Sequence, residues 1–85
     1  MEWSQEATEK FKALLGEIPI FLRPMAEQMG KNEIGKVAAA RGISQVDIPT
    51  MVVGLINATP VHLKDSMKEA MTKHGIDLAA YKEFL

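Results

Sequence analysis

Val46-Asp47-Ile48-Pro49-Thr50-Met51-Val52-Val53-Gly54-Leu55-Ile56-Asn57 is the stretch on which the fold turns. Asp47 predicts a helix N-cap, Pro49 fits the first turn, and Val46 is placed to staple against Met51. From Met51 onward the apolar side chains cover nearly the whole circumference of a helix, so the helix is either wrapped by the rest of the fold or part of an interface. Gly54 permits a close backbone approach on one side. From Gly42 to Leu63 only Asp47 is formally charged, but Gln45, Pro49, Asn57 and Pro60 interrupt the run, and what remains is too short for a bilayer span.

Upstream, Trp3, Ala7, Phe11, Leu14, Leu15 and Ile18 follow the three-and-four spacing of one helix face, with Ser4 as N-cap and Gly16 as a stop. Ile18-Pro19 disfavours helix at Ile18, and the spacing predicts a tight connector over residues 19–23 with Ile20, Phe21 and Leu22 pointing inward. Trp3, Phe21 and Leu22 are expected to pack together at this corner. Pro24 opens a second helix running to Arg41, with Met25, Met29, Ile34, Val37 and Ala38 inward and Gly42 as terminator. Gly30 is its weak point and a kink is expected near residues 30–32, because an interior glycine costs about 1 kcal/mol relative to alanine.

Downstream, Thr59-Pro60 caps and opens a fourth helix reaching His74, with Leu63, Met67, Ala70 and Met71 inward and Gly75 as its stop. Asp77 caps a short last helix, with Ile76 stapled to Tyr81 and Phe84 and Leu85 closing it. These segments, with no alternating strand pattern and no repeat, predict an all-α fold, a compact bundle of four to five short helices in a single domain. Glu6 with Lys10, Glu27 with Lys31 and Glu69 with Lys73 are ordered as favourable pairs of about 0.2 to 0.5 kcal/mol each, marking solvated faces.

The 85 residues allow one modest core. No cysteine is present, which removes disulfides, thiolate metal sites and a cysteine nucleophile and points to a reducing, cytoplasmic setting. Met1-Glu2-Trp3-Ser4-Gln5-Glu6 is acidic and polar and predicts no secretory leader. Ten Lys and Arg against eleven Asp and Glu give a net charge of −1 with the signs mixed, without the basic stripe of a nucleic-acid binder.

Gly30-Lys31-Asn32-Glu33-Ile34-Gly35-Lys36-Val37 falls one residue short of a phosphate-binding loop, since Val37 stands where a hydroxyl would hold magnesium. A strand is also missing before it. Ala38, Gly42, Ile48 and Met51 have helix-turn-helix spacing, yet from Ser44 to Asn57 no Lys or Arg could reach phosphate or guanine, which disfavours a DNA reader. His62 and His74 lack an acidic partner at ligand spacing, and His74 is placed to interact with a helix C-terminus. Ser4, Ser44 and Ser66 have no base beside them.

Trp3, Glu6-Ala7, Leu14 or Leu15, Ile18-Pro19, Phe21-Leu22-Arg23 and Ala26, followed by Ile34, Ala38 and Gly42, resemble the small domain at the C-terminus of the B subunit of light-independent protochlorophyllide reductase, which also occurs as free-standing proteins. The resemblance covers residues 3–56 and leaves residues 57–85 unmatched. This chain departs from the pattern by about one extra helical turn between Ala26 and Ile34, by Gly35 at an acidic position, and by Glu27 and Gln28 at basic ones. The parent enzyme uses iron–sulfur clusters and ATP, and with no cysteine here the resemblance implies an accessory domain against a tetrapyrrole or a partner protein.

The expectation from the residues is therefore a non-catalytic helical interaction or accessory module with no cofactor and no metal. Its partner would be a protein, with a homodimer as one form. A tetrapyrrole enters by resemblance only, and neither nucleic acid nor membrane is expected. The expected partner surface is Met51, Val52, Leu55 and Ile56 on the apolar helix, with Met67 and Met71 beside it; Gly54 lies among them, and a central, wrapped helix is the alternative.

Overall fold

Ser4 ends one element and starts the next. Its amide donates to Val46 O at 2.9 Å, and its hydroxyl accepts from the Ala7 amide at 3.1 Å, capping the first helix. The computed structural model describes residues 2–85, and in it α1 spans Gln5–Leu15, α2 Arg23–Arg41, α3 Ile48–Ala58 and α4 Lys64–Lys73. Short 3-10 helices at Ile20–Leu22 and Val61–Leu63 lead into α2 and α4, and a longer one at Leu78–Phe84, kinked at Tyr81, closes the chain. The fold is all-α, as the periodicity requires.

One sheet was not expected. β1 (Glu2–Trp3) pairs in parallel with β2 (Gln45–Val46), Glu2 opposite Gln45 and Trp3 opposite Val46. Two-residue strands are too short to produce an alternation, so no sequence pattern announces them. The pair ties the start of α1 to the connection before α3, and it sets the Trp3 ring against Phe11, centroids 5.1 Å apart.

α3 is the centre of the fold. The Asp47 carboxylate accepts from the Thr50 amide at 2.9 Å at its start, and Thr50, Met51, Val52, Val53, Gly54 and Ile56 are all buried. α2 runs along it with Gly30, Ile34 and Ala38 turned inward, and stops at Gly42 in the left-handed region, φ 66°, where the Ile43 amide bonds back to Ala38 O at 3.1 Å. At Gly54 the helices almost touch through their backbones, because a Cβ there would lie 2.6 Å from Ile34 Cα and 2.8 Å from Ile34 N. Gly30 is a second close-packing point, not a kink. A Cβ on it would come 3.0 Å from Leu55 Cδ2 and 3.2 Å from Phe11 Cε1, and α2 continues unbroken through it.

The corner after α1 differs from expectation. Ile20, Phe21, Leu22, Met25 and Met29 point into solvent, as does Leu63 at the corresponding turn before α4. The inward position beside Trp3 is taken by Phe11, which is buried. Arg23 explains the outward turn: its Nε donates to Ile18 O at 2.8 Å and its Nη2 to Gly16 O at 3.1 Å, stitching the connector to the carbonyl end of α1.

Candidate functional site

The six side chains expected to form a partner surface are placed mostly inside the molecule. Met51, Val52, Ile56 and Met71 are buried, and Leu55 and Met67 are half-buried against the same core. Thr59 bridges the last two, donating to Leu55 O at 2.7 Å and contacting Met67 Sδ at 3.2 Å. The expected surface is thus mostly core, because α1, α2 and the chain after α4 pack around the apolar helix. The close approach that Gly54 permits is to Ile34 of the same chain.

The exposed apolar surface lies elsewhere. Phe21 is 79% exposed, Ile20 74%, Met25 58%, Met29 44% and Leu22 38%, all on the first 3-10 helix and the opening turns of α2. Met25 and Met29 are four residues apart on one face of α2, turned away from the inward face of Gly30 and Ile34, and Phe21 lies on the 3-10 helix that leads into α2. Arg23 and the Glu27–Lys31 pair, 3.4 Å apart, lie on the other side of α2 from Met25 and carry charges of both signs. The pair is the expected one of the three; Lys10 and Lys73 have other partners.

The lead-in to α2 is used a second time. Pro19-Ile20-Phe21-Leu22-Arg23 and Pro60-Val61-His62-Leu63-Lys64 form the same structure: a proline at φ −50° or −59°, a 3-10 helix closed by a leucine amide on the proline carbonyl at 2.9 Å, then an α-helix with no side-chain cap. Val61 and Leu63 are exposed like Ile20 and Leu22. The sequence signal is the repeated proline–apolar–any–leucine–cation order, too short to register as a repeat.

The polar groups stabilise ends of helices. Glu17, just past α1, accepts from Lys73 Nζ at 3.2 Å and contacts His74 Nε2 at 3.1 Å, while Lys10 Nζ donates to His74 O at 2.6 Å. His74 first, then Lys73, hold the Glu17 carboxyl below its ordinary pKa. Asp47 is likewise held low, first by the Thr50 side chain and then by the Thr50 amide; the hydroxyl contact falls short of full hydrogen-bond geometry, and buried Thr50 Oγ1 has no other partner.

Residues 30–37 lie within α2, so their amides are committed along the helix and cannot converge on phosphate. Among the described residues no three His, Cys, Asp or Glu side chains are grouped to hold a metal ion, and no helix is long and apolar enough to cross a membrane. A shallow concavity between the starts of α1 and α3 is lined by Ser4, Glu6, Glu9, Asp47 and Pro49, where the Ser4 hydroxyl and the Asp47 carboxylate are engaged as helix caps.

The chain belongs to a family described as protein of unknown function (DUF2621), whose model matches residues 1–85 and so includes the C-terminal part that the reductase resemblance leaves out. Neither a curated protein nor a solved structure matches it.

Proposed function

We propose that this member of the family is a non-catalytic helical module that docks a protein through the face formed by residues 20–29. One observation carries the reading: Phe21, Ile20 and Met25 stand largely in solvent beside a core that is already filled by Phe11, Ile34, Met51 and Ile56. Contiguous apolar area of this kind on a small protein marks an interaction site. The backbone is built to present it, since Arg23 fixes the turn by two hydrogen bonds to the end of α1. Under this reading the chain binds neither cofactor nor nucleic acid: α3, the helix a DNA reader would place in the major groove, is core, and the charged residues form no single-sign stripe.

The test is a hydrophobic-dye titration of the intact protein beside Phe21→Ser and Met25→Glu. Both variants should keep the native circular dichroism and lose most of the dye binding. Unchanged dye binding, or ATP turnover that disappears on Lys36→Ala, would overturn the reading.

A second reading, a tetrapyrrole-contacting accessory protein of a reductase complex, draws on one further observation. Phe21 and Leu22, part of the resemblance to the protochlorophyllide reductase domain, are exposed side chains on this face. Titration with a soluble porphyrin separates the two. Quenching of Trp3 emission that vanishes in Phe21→Ser favours the pigment, and no quenching favours the protein.

A further inference from the structure

We infer that residues 2–43 and 45–76 are two copies of one structural unit, each completed by the other, so that the core of the molecule is the interface between them. The same features follow in the same order in both. A two-residue strand, β1 or β2, leads to a polar cap, Ser4 or Asp47, whose side chain accepts from the amide three residues on, at 3.1 Å from Ala7 and 2.9 Å from Thr50. An 11-residue helix, α1 or α3, comes next. The proline-led 3-10 turn then repeats, and α2 and α4 both stop at a glycine in the left-handed region, Gly42 at φ 66° and Gly75 at φ 81°. Behind each glycine an isoleucine amide reaches back along the helix, Ile43 to Ala38 O at 3.1 Å and Ile76 to Met71 O at 2.9 Å. From the strands to the ends of α1 and α3 the equivalent positions keep one constant spacing along the chain, and β1 pairs with β2 in that same register, Glu2 with Gln45 and Trp3 with Val46. A cap or a left-handed glycine is common alone; a shared order and spacing through both halves is not.

The residues common to the copies are ones placed at the turns: Pro19 and Pro60, Leu22 and Leu63, Gly42 and Gly75, Ile43 and Ile76. Where the copies face each other they differ in a complementary way. Phe11 and Gly54 hold the same place in their units and both lie against α2, which offers Gly30 to the ring and Ile34 to the glycine. A Cβ on Gly30 would come 3.2 Å from Phe11 Cε1, and one on Gly54 2.6 Å from Ile34 Cα. Large against small fills an interior at native density, and such exchanges erase the likeness in hydropathy that would have revealed a repeat. The remaining departures are of length. Glu17 and Ile18 are extra in the first connector, and α2 has 19 residues where α4 has 10.

Packing follows the division. The most extensive helix contact is α2 along α3, between the units, and α1 also rests on α3, whereas α1 meets α2, and α3 meets α4, only sparsely. One cluster takes Phe11, Ile34 and Ala38 from the first unit and Met51, Ile56 and Met71 from the second. Neither unit has a core of its own.

Three experiments on the full chain test this. In the unmodified protein, hydrogen exchange should give the α2 amides of Ile34 and Ala38 and the α3 amides of Val53 and Ile56 one common opening, their protection lost together as urea is raised. Protection that persists in one unit after it has gone from the other reveals a separate core and overturns the inference. In a chain with a protease site inserted between Ser44 and Gln45, both exposed, cutting the folded protein should leave its circular dichroism unchanged and make its melting temperature rise with concentration. The halves, once separated, should each lose the cooperative transition and regain it on mixing. A half that melts cooperatively alone, or cut halves that do not re-form, overturns it as well. Exchanging residues 19–23 with residues 60–64 addresses the copies themselves: the cooperative transition should survive, and its loss would show that the two turns are not equivalent and overturn the duplication.

Discussion

Gly54 and Gly35 sit in neighbouring helices with opposite surroundings. Around Gly54 a methyl group would meet the Ile34 backbone, which cannot move without shifting α2; around Gly35 nothing lies within 4 Å. Alanine gains about 1 kcal/mol of helix propensity at either position, and packing decides the sign. Gly54→Ala should lose about 1 to 3 kcal/mol net, the usual range for overpacking, whereas Gly35→Ala should gain about 0.5 to 1 kcal/mol. Urea denaturation of both measures the contrast, and a neutral Gly54→Ala would mean that the helices separate easily. The two phenylalanines differ in the same manner. Phe11→Ala should cost about 3 to 5 kcal/mol, removing the ring on which Trp3 and Gly30 rest, while Phe21→Ala should cost less than about 1 kcal/mol. The close approach at Gly54 was legible because a small residue in an all-apolar helix asks for a neighbour. Which phenylalanine is inside was not, because Ile-Pro fixes that the chain turns and leaves open which way its side chains face.

Helix ends were the most legible elements. Ser4, Asp47 and Asp77 cap as their side chains and positions require, and Gly42 and Gly75 stop α2 and α4 in the left-handed region. Connectors were less so, since the 3-10 helices at Ile20–Leu22 and Val61–Leu63 expose Ile20, Phe21, Leu22 and Leu63, all expected to point inward. Long-range ties were not legible at all: Glu17 is in the connector after α1, and only the fold brings it to Lys73 and His74 at the end of α4. That tie has a pH signature. The Glu17 carboxyl titrates lower when folded than its ordinary 4.5, so between the two values the folded state binds fewer protons than the unfolded one. Its stabilisation is complete above 4.5 and is lost as pH falls through the folded value. Glu17→Gln should therefore be less stable than the parent at neutral pH and should show a shallower loss on acidification. The remaining slope belongs in part to Asp47, shifted in the same direction. Parallel acid-unfolding curves for parent and variant would show that the contact is absent in solution.

At the scale of the whole molecule, the reductase resemblance ends near residue 56 but the core does not. Met71 and Ile76 are buried in the same cluster as Phe11, Ile34 and Ile56, and Met67, Leu78, Tyr81 and Phe84 pack against it from outside. Lys10 to His74 O and Glu17 to Lys73 then fasten this C-terminal part to α1. A domain of this length holds about 4 to 13 kcal/mol in total. Loss of a buried Met or Ile side chain alone costs about 2 to 5 kcal/mol, and removing α4 with the segment after it takes away two such residues and uncovers one side of α3. The side of α3 that packs against residues 78–84 would then face water with nothing to replace the missing wall. The prediction is that a chain ending at residue 59 has no cooperative thermal transition, retains part of the helical circular dichroism, and binds hydrophobic dye strongly through α3. A sigmoidal melt from that shortened chain would mean that α1, α2 and α3 fold without residues 60–85, and that the C-terminal part is an attachment to the domain.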